Sequence, residues 1–438
     1  MISGLLHLNS AQATPYYCPE YATVPPLGST TSSLIAASAM AAHCFGKGFV
    51  APSPLTWDSS ARASYTTDCV MRSSGTNVVW PGSCNPNGAL SVLNNRTSGY
   101  GQSWVQLTRP STATDMGRLL LDKMRIHKTP IVLPLFGNWD HWVTVTYVDT
   151  MVDSRGAEQF KTVRLHDGLP AGVTDRSGKV SYGSPYTVQS AFYFVRDYMG
   201  IMSYSGAPCH REDIFDFSCG LPPHNDPWYL NWLFLYEPPV GMSLVGERET
   251  TTPLSVMRAP GVAPKGQRMT AALALRRVSE ALRLSGADED VRIRQMLAGG
   301  TTTQAVLVRR NDADNSLRDY FLLPVNTPDG RISGFIQLSA EDGAFESAQV
   351  FDRAIGALDF AEESARQRAQ TLLSEEELLG AGVLSWRPIA MGGLSDTPVL
   401  PYYEFQVYRH NGELNGSLRI ALHDPKLSRR ITTKNQQQ

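Results

Sequence analysis

The chain has 438 residues, 42% of them hydrophobic and 18% charged, with a formal net charge of −2. This is a globular composition, long enough for two or more domains, and its near-neutral balance offers no electrostatic footprint for nucleic acid or an anionic membrane surface. No apolar run reaches the roughly 20 residues of a membrane-crossing helix, so no membrane span is expected.

The opening MISGLLHLNSAQA has a short apolar run and a small-x-small site, like the end of a secretory leader. Cleavage after Ala13 would remove Gln12, so any leader is expected upstream of the given start. Gln12 stands six residues before Cys18 in QATPYYCPEYATV. A run of small residues, TTSSLIAASAMAAHCFG, reads as a helix, and the adjacent His43 and Cys44 diverge on it and are read as structural. Cys69 and Cys84 sit in sequence rich in Gly, Pro and Asn, as do Cys209 and Cys219. Each pair either closes a loop as a disulfide, which implies a secreted or periplasmic protein, or remains as free thiols in the cytoplasm. Cys209, His210, Cys219 and His224 also offer zinc-binding atom types, but their spacing fits no common zinc pattern and ranks below a disulfide. No cofactor or metal is therefore expected.

Further on, GNWDHWVTVTYVDT reads as a turn followed by a strand, with His141 at its mouth. KTVRLHDGLP reads as another short strand that ends at Asp167. Neighbouring strands lie about 4.8 Å apart, so paired ends would bring His141 and Asp167 within hydrogen-bond reach. His166 alternates to the opposite face and receives no role as a base.

Composition then changes. Residues 246–265, most of them in RETTTPLSVMRAPGVAPKGQ, read as a polar, protease-sensitive linker that follows a first domain at 1–245. A fragment ending near residue 245 is accordingly expected to keep any activity. MTAALALRRVSEALRLSG carries a helical apolar stripe and a Gly stop, and strand-like QAVLVRR, DYFLLPV and ISGFIQLS follow. FDRAIGALDFAEESARQRAQTLLSEEELL restarts the order as a helix, followed by VLSWRPI, YYEFQVYRH and LNGSLRIALHD. Asp329-Gly330 aligns with Asn411-Gly412 and Gly334 with Gly416, so both dipeptides read as two-residue hairpin turns of an internal repeat. Two α+β units, each a helix on an antiparallel meander, are expected at 266–345 and 346–430, with a polar tail at 431–438. They weakly resemble the cystatin-like or PepSY-like modules attached to some secreted peptidases.

A nucleophilic thiol needs a base, a group to orient that base, and donors for the developing oxyanion. Taken singly, Cys18 reads as a small buried residue, His141 as a capped strand end and Asp167 as a turn. Their order and strand-end placement change that reading. Over residues 10–200 the chain resembles the papain superfamily, and more closely the cysteine peptidases that process double-glycine leader peptides, with their free-standing relatives. The resemblance is carried by QATPYYCPEYATV, SSGTNVVWPGSCNPNGALSVLNNRTSGY, MGRLLLDKMRIHKTPIVLPLF, HWVTVTYVD and LHDG.

It implies a papain-like domain in which Cys18 is the nucleophile at a helix start. Gln12 and the Cys18 backbone N–H would form the oxyanion hole, His141 would be base and then acid, and Asp167 would orient His141. A peptide or protein would be the substrate, and the repeats would serve a protein partner or substrate docking. The sequence departs from the family where Pro19 and Glu20 follow Cys18 and where Pro25-Pro26 stop the helix. Two other functions fit the same residues: a catalytically silent module that binds peptides, and an acyltransferase using the same triad.

Overall fold

A computed structural model of the chain describes residues 67–69, 71, 86–97, 103–107, 120, 131–134, 142–152, 157–167, 171–174, 179–183, 185–195, 233–237, 254–310, 319–386 and 399–432. Over these residues the protein is mixed α/β, with few helices and one large, mostly antiparallel sheet. Its first half contributes helix α1 (Pro86–Thr97) and strands β1 (Ser103–Leu107), β2 (Ile131–Pro134), β3 (Trp142–Val152), β4 (Glu158–Asp167), β5 (Ala171–Thr174), β6 (Val180–Gly183), β7 (Pro185–Ser190), β8 (Leu233–Glu237) and β9 (Leu254–Val256). Then come α2 (Ala271–Ser285), α3 (Val291–Gly299), β10 (Thr301–Thr302), β11 (Val306–Arg310), β12 (Tyr320–Asn326), β13 (Ile332–Ser339) and β14 (Phe345–Ile355). The chain ends with α4 (Glu362–Gln370), β15 (Glu377–Trp386), β16 (Tyr402–Arg409), β17 (Leu414–Ala421) and β18 (Arg429–Thr432). Along the sheet the order is β1-β8-β2-β3-β4-β7-β14-β13-β12-β11-β15-β16-β17-β18, with β9 beside β4 and β10 beside β12, while β5 and β6 form a separate two-stranded sheet among the described residues.

The expected helix at 269–286 forms as α2. Thr270 caps it by accepting from the Leu273 N–H, and Gly286 stops it in the left-handed region at φ 74°. Its stripe of Ala274, Val278, Ala281 and Leu282 is buried against Phe321, Leu323, Val325, Ile336 and Leu338 of β12 and β13. The second expected helix is shorter than its sequence suggested. Phe351–Ile355 belongs to β14, and α4 spans only Glu362–Gln370, burying Ala365 and Ala369. Phe351 and Ile355 are buried at alternate strand positions, a pattern that over five residues also fits one face of a helix.

The repeat extends to backbone detail. In the first unit Val325 pairs with Gly334 and Asn326 with Ile332; in the second Val407 pairs with Gly416 and Tyr408 with Leu414, so both hairpins carry a bulge at the same place. The turns differ from the two-residue expectation. Gly330 N–H donates to the Thr327 carbonyl and Thr327 N–H to the Arg331 carbonyl, closing a three-residue loop with Gly330 at φ 80°. Arg409, Gly412 and Glu413 make the same two bonds. Pro328 has no N–H to give to the Arg331 carbonyl, the bond that a two-residue Asp329-Gly330 turn would need from it, so Thr327 makes that bond one residue earlier.

The two units meet through parallel β11 and β15, with Arg309 opposite Ser385 and Arg310 opposite Trp386. Joining equivalent strands in parallel turns the second unit over, so its helix lies on the other face of the sheet. Accordingly α4 shares a core with Tyr403, Phe405 and Val407, and also with Tyr320 and Leu322, the alternate positions of β12.

The first half is not a separate bead on this frame. β7 pairs with β14 from Ser347–Gln189 to Phe351–Pro185. Thr174 N–H reaches the His423 carbonyl at 2.7 Å, and Ser181 Oγ accepts from Gly356 N–H at 2.6 Å. Part of the stretch read as a linker is packed as well. β9 pairs in parallel with β4, Ala259 and Val262 are buried, and the Val262 and Ala263 N–H groups both donate to the Asp342 carbonyl at 2.8 Å. A strand added to a sheet bonds through its backbone, so Thr, Pro and Gly composition did not reveal it. Protease sensitivity is therefore not expected over 254–263.

Gly334 has no room for a side chain, because a Cβ there would meet the Gln349 carbonyl oxygen and the Met296 sulfur. Gly330 has open space and needs only its positive φ. Gly334→Ala is expected to lower the unfolding free energy by about 2–3 kcal/mol, against about 1 kcal/mol for Gly330→Ala, as measured by urea unfolding.

Candidate active site

β3 and β4 form a hairpin at the centre of the first half, with β2 beyond β3 and β7 beyond β4. Both faces of β3 are covered: Val143, Thr144, Val145 and Thr146 are all buried. Trp142 opens β3, so His141 directly precedes it, and Asp167 closes β4 opposite Val143. The expected pairing of the His-bearing and Asp-bearing strands is thus present in the backbone. Gln12, Cys18 and His141 lie outside the described residues, and of Asp167 the strand position is described. Pro19, Glu20, Pro25-Pro26 and the small-residue segment that follows lie outside them too.

Register along the hairpin is uneven. Val152 to Thr150 pair with Glu158 to Phe160; Lys161 is then passed over on β4, so that Asp149 pairs with Thr162, Val148 with Val163 and Tyr147 with Arg164. Thr146 is passed over on β3, and the ladder resumes with Val145 opposite Leu165 and Val143 opposite Asp167. The two bulges offset each other.

One face of this hairpin is polar, and the N-terminus of α3 packs against it. Asp290, 2% exposed, caps α3: its Oδ1 accepts from the N–H groups of Arg292 at 2.9 Å and Ile293 at 3.2 Å. Its Oδ2 turns to the sheet, accepting the Tyr186 hydroxyl of β7 at 2.6 Å and pairing with Arg164 Nε of β4 at 3.1 Å. The Arg164 guanidinium lies 4.0 Å from the ring centroid of Tyr147 in β3, and that of Arg292 lies 4.6 Å from the Tyr186 ring. Burial pushes the Tyr186 phenol far up, so it stays a neutral donor to Asp290. Burial, and then Asp149, push Tyr147 up. Asp149 is itself raised by burial, with Lys161 Nζ at 3.7 Å.

His166 shares this face and packs edge-on to Tyr186 at 5.1 Å between ring centroids. Burial, reinforced by Arg292, holds its pKa well below the ordinary imidazole value, so it is a neutral packing group here.

Cys69 is buried and disulfide-bonded, while Cys84, Cys209 and Cys219 lie outside the described residues, as do His210 and His224. Among the described residues no group of three or more His, Cys, Asp or Glu could hold a metal ion, and no helix is long and apolar enough to cross a membrane. Comparison with protein families, curated proteins and solved structures finds nothing that matches the chain.

Sequence reasoning missed Arg164, Tyr186 and Asp290 as a unit. Thr162, Arg164 and His166 alternate with Val163 and Leu165, which reads as an ordinary solvent face. Asp290 before VRIRQML was legible as a helix cap, but nothing local links it to residues 164 and 186.

Because folded His166 resists protonation and its unfolded form has a pKa near 6.5, its contribution to stability is fully present above about pH 6.5. It is lost progressively as the pH falls below that toward the depressed folded value. Between pH 6.5 and 5 the unfolding free energy of His166→Gln is expected to fall less steeply than wild type, by up to about 1.4 kcal/mol per pH unit. Identical slopes in denaturant titrations would contradict this.

Proposed function

We propose that the chain is a cysteine peptidase with a papain-like catalytic domain in its first half. In this reading His141 takes the proton of Cys18 and the thiolate attacks a peptide carbonyl. The oxyanion is held by the Gln12 side-chain amide and the Cys18 backbone N–H. The intermediate collapses as His141 returns the proton to the leaving amine, and water then releases the acyl group. Asp167 keeps His141 in the tautomer that accepts from Cys18.

The observation that carries this reading is the ladder of β3 and β4. Asp167 ends one strand opposite Val143, which follows His141 by two residues in the sequence, and the reading puts the acid and the imidazole at the same end of adjacent strands. The antiparallel sheet around them supports the fold class, and the disulfide at Cys69 favours a secreted or periplasmic protein. The second half, sharing its sheet with the first, serves as a docking surface for substrate or for a protein partner.

Brief iodoacetamide treatment at neutral pH should label Cys18 faster than Cys44 and abolish hydrolysis of a peptide library. Cys18→Ala should remove that hydrolysis, and Asp167→Asn should lower kcat by at least about 10³-fold. Hydrolysis that survives Cys18→Ala, or labelling of Cys18 no faster than Cys44, would overturn the assignment.

A further inference from the structure

The bulge at Thr146 determines which residue of β3 stands opposite Asp167. Between Asp149 and Tyr147 the ladder runs one step out of phase with its two ends. Carried on without the Thr146 bulge, that middle register would set Asp167 opposite Thr144, one residue farther from His141. The passed-over residue restores the phase and brings Asp167 opposite Val143.

The bulge is held from three sides. Thr146, 3% exposed, donates its Oγ1–H to the Arg164 carbonyl at 3.3 Å. Arg164 is the last β4 residue before the change of phase, and its side chain lies over Tyr147, the β3 residue next to the bulge. The same guanidinium is tied at Nε to Asp290, whose other oxygen is committed to the start of α3.

We propose that Thr146, Arg164 and Asp290 form a register lock, in which the first α+β unit, through the cap of α3, sets how the His141 and Asp167 strand ends face each other. These three are positioning residues. The inference rests on the peptidase reading for its consequence, but the register it describes is independent of that reading. It makes the helical layer of the second half part of the catalytic geometry, so residues 1–245 alone would lack the group that fixes β4.

The full-length chain tests this with Thr146→Val, which keeps the shape and removes the hydroxyl donor, and Asp290→Asn. Ser417→Ala is the control: it removes a buried hydroxyl bonded to Glu404 at 3.1 Å in the second α+β unit. Two readouts are taken at a temperature where all variants are folded by circular dichroism: the pH dependence of Cys18 alkylation, and hydrogen exchange of peptides covering 142–147. Expected are about tenfold slower Cys18 alkylation at neutral pH in Thr146→Val and Asp290→Asn, an alkylation midpoint moved toward that of an ordinary thiol near 8.5, and faster exchange at 142–147, with Ser417→Ala like wild type on both counts. Wild-type alkylation and exchange in both lock variants would overturn the proposal. If Asp290→Asn fails to fold, Thr146→Val decides alone. If wild-type Cys18 is no faster than Cys44, the peptidase reading falls. Exchange at 142–147 then decides the register claim, supporting it if faster in Thr146→Val and overturning it if unchanged.

Discussion

The carboxylate of Asp290 is shared between the two halves of this protein, beside the backbone ladder of β7 and β14. A buried carboxylate loses hydration worth several kcal/mol unless its oxygens are otherwise engaged. Here the two oxygens are engaged separately. Oδ1 closes the N-terminus of α3 with two backbone N–H groups, and Oδ2 takes the Tyr186 hydroxyl and the Arg164 guanidinium from β7 and β4. The partners of Oδ1 belong to the C-terminal half and those of Oδ2 to the N-terminal half. Removing either set leaves a buried charge partly served, which is why this contact outweighs an exposed ion pair such as Arg331 with Asp329.

Around that joint the sheet is continuous, and the architecture follows from it. β7 lends its edge to β14, β11 lends its edge to β15, and the parallel join at β11 turns the second unit over. One face of the sheet is therefore covered by α2 and α3, and the other by α4, close to the β5–β6 hairpin whose Val173 belongs to the same core. A repeat that would read as two independent modules is built into the same sheet as the strands that carry the proposed catalytic ends. Strand edges that pair internally are also edges withheld from aggregation.

Where periodicity and turn chemistry are local, the sequence announces the structure well. The stripe and Gly stop of α2, the strand that follows His141, the strand that ends at Asp167, and the paired glycines Gly334 and Gly416 were all legible. What was not legible depends on partners distant in the chain. β9 is built from residues of linker composition because β4 offers a backbone ladder at 158–160. The polar face of β4 is buried because α3, more than a hundred residues later, brings a cap residue to it. Thr146 gives no sign of a bulge within an unbroken Thr/Val alternation, since a bulge is decided by both strands at once. At the candidate site the sequence supplied the residue types and their order, and the structure adds the hairpin register through which His141 and Asp167 would meet.

A double-mutant cycle between Arg164→Met and Asp290→Asn, read as unfolding free energy in denaturant, tests the central claim that the Asp290 carboxylate couples the two halves. A coupling energy of about 2 kcal/mol or more is predicted, because Arg164→Met leaves the buried Asp290 carboxylate, and Asp290→Asn the partly buried Arg164 guanidinium, without its ion-pair partner, and the double change leaves neither. Additivity within about 0.5 kcal/mol would contradict the account, since the two side chains would then contribute independently of each other.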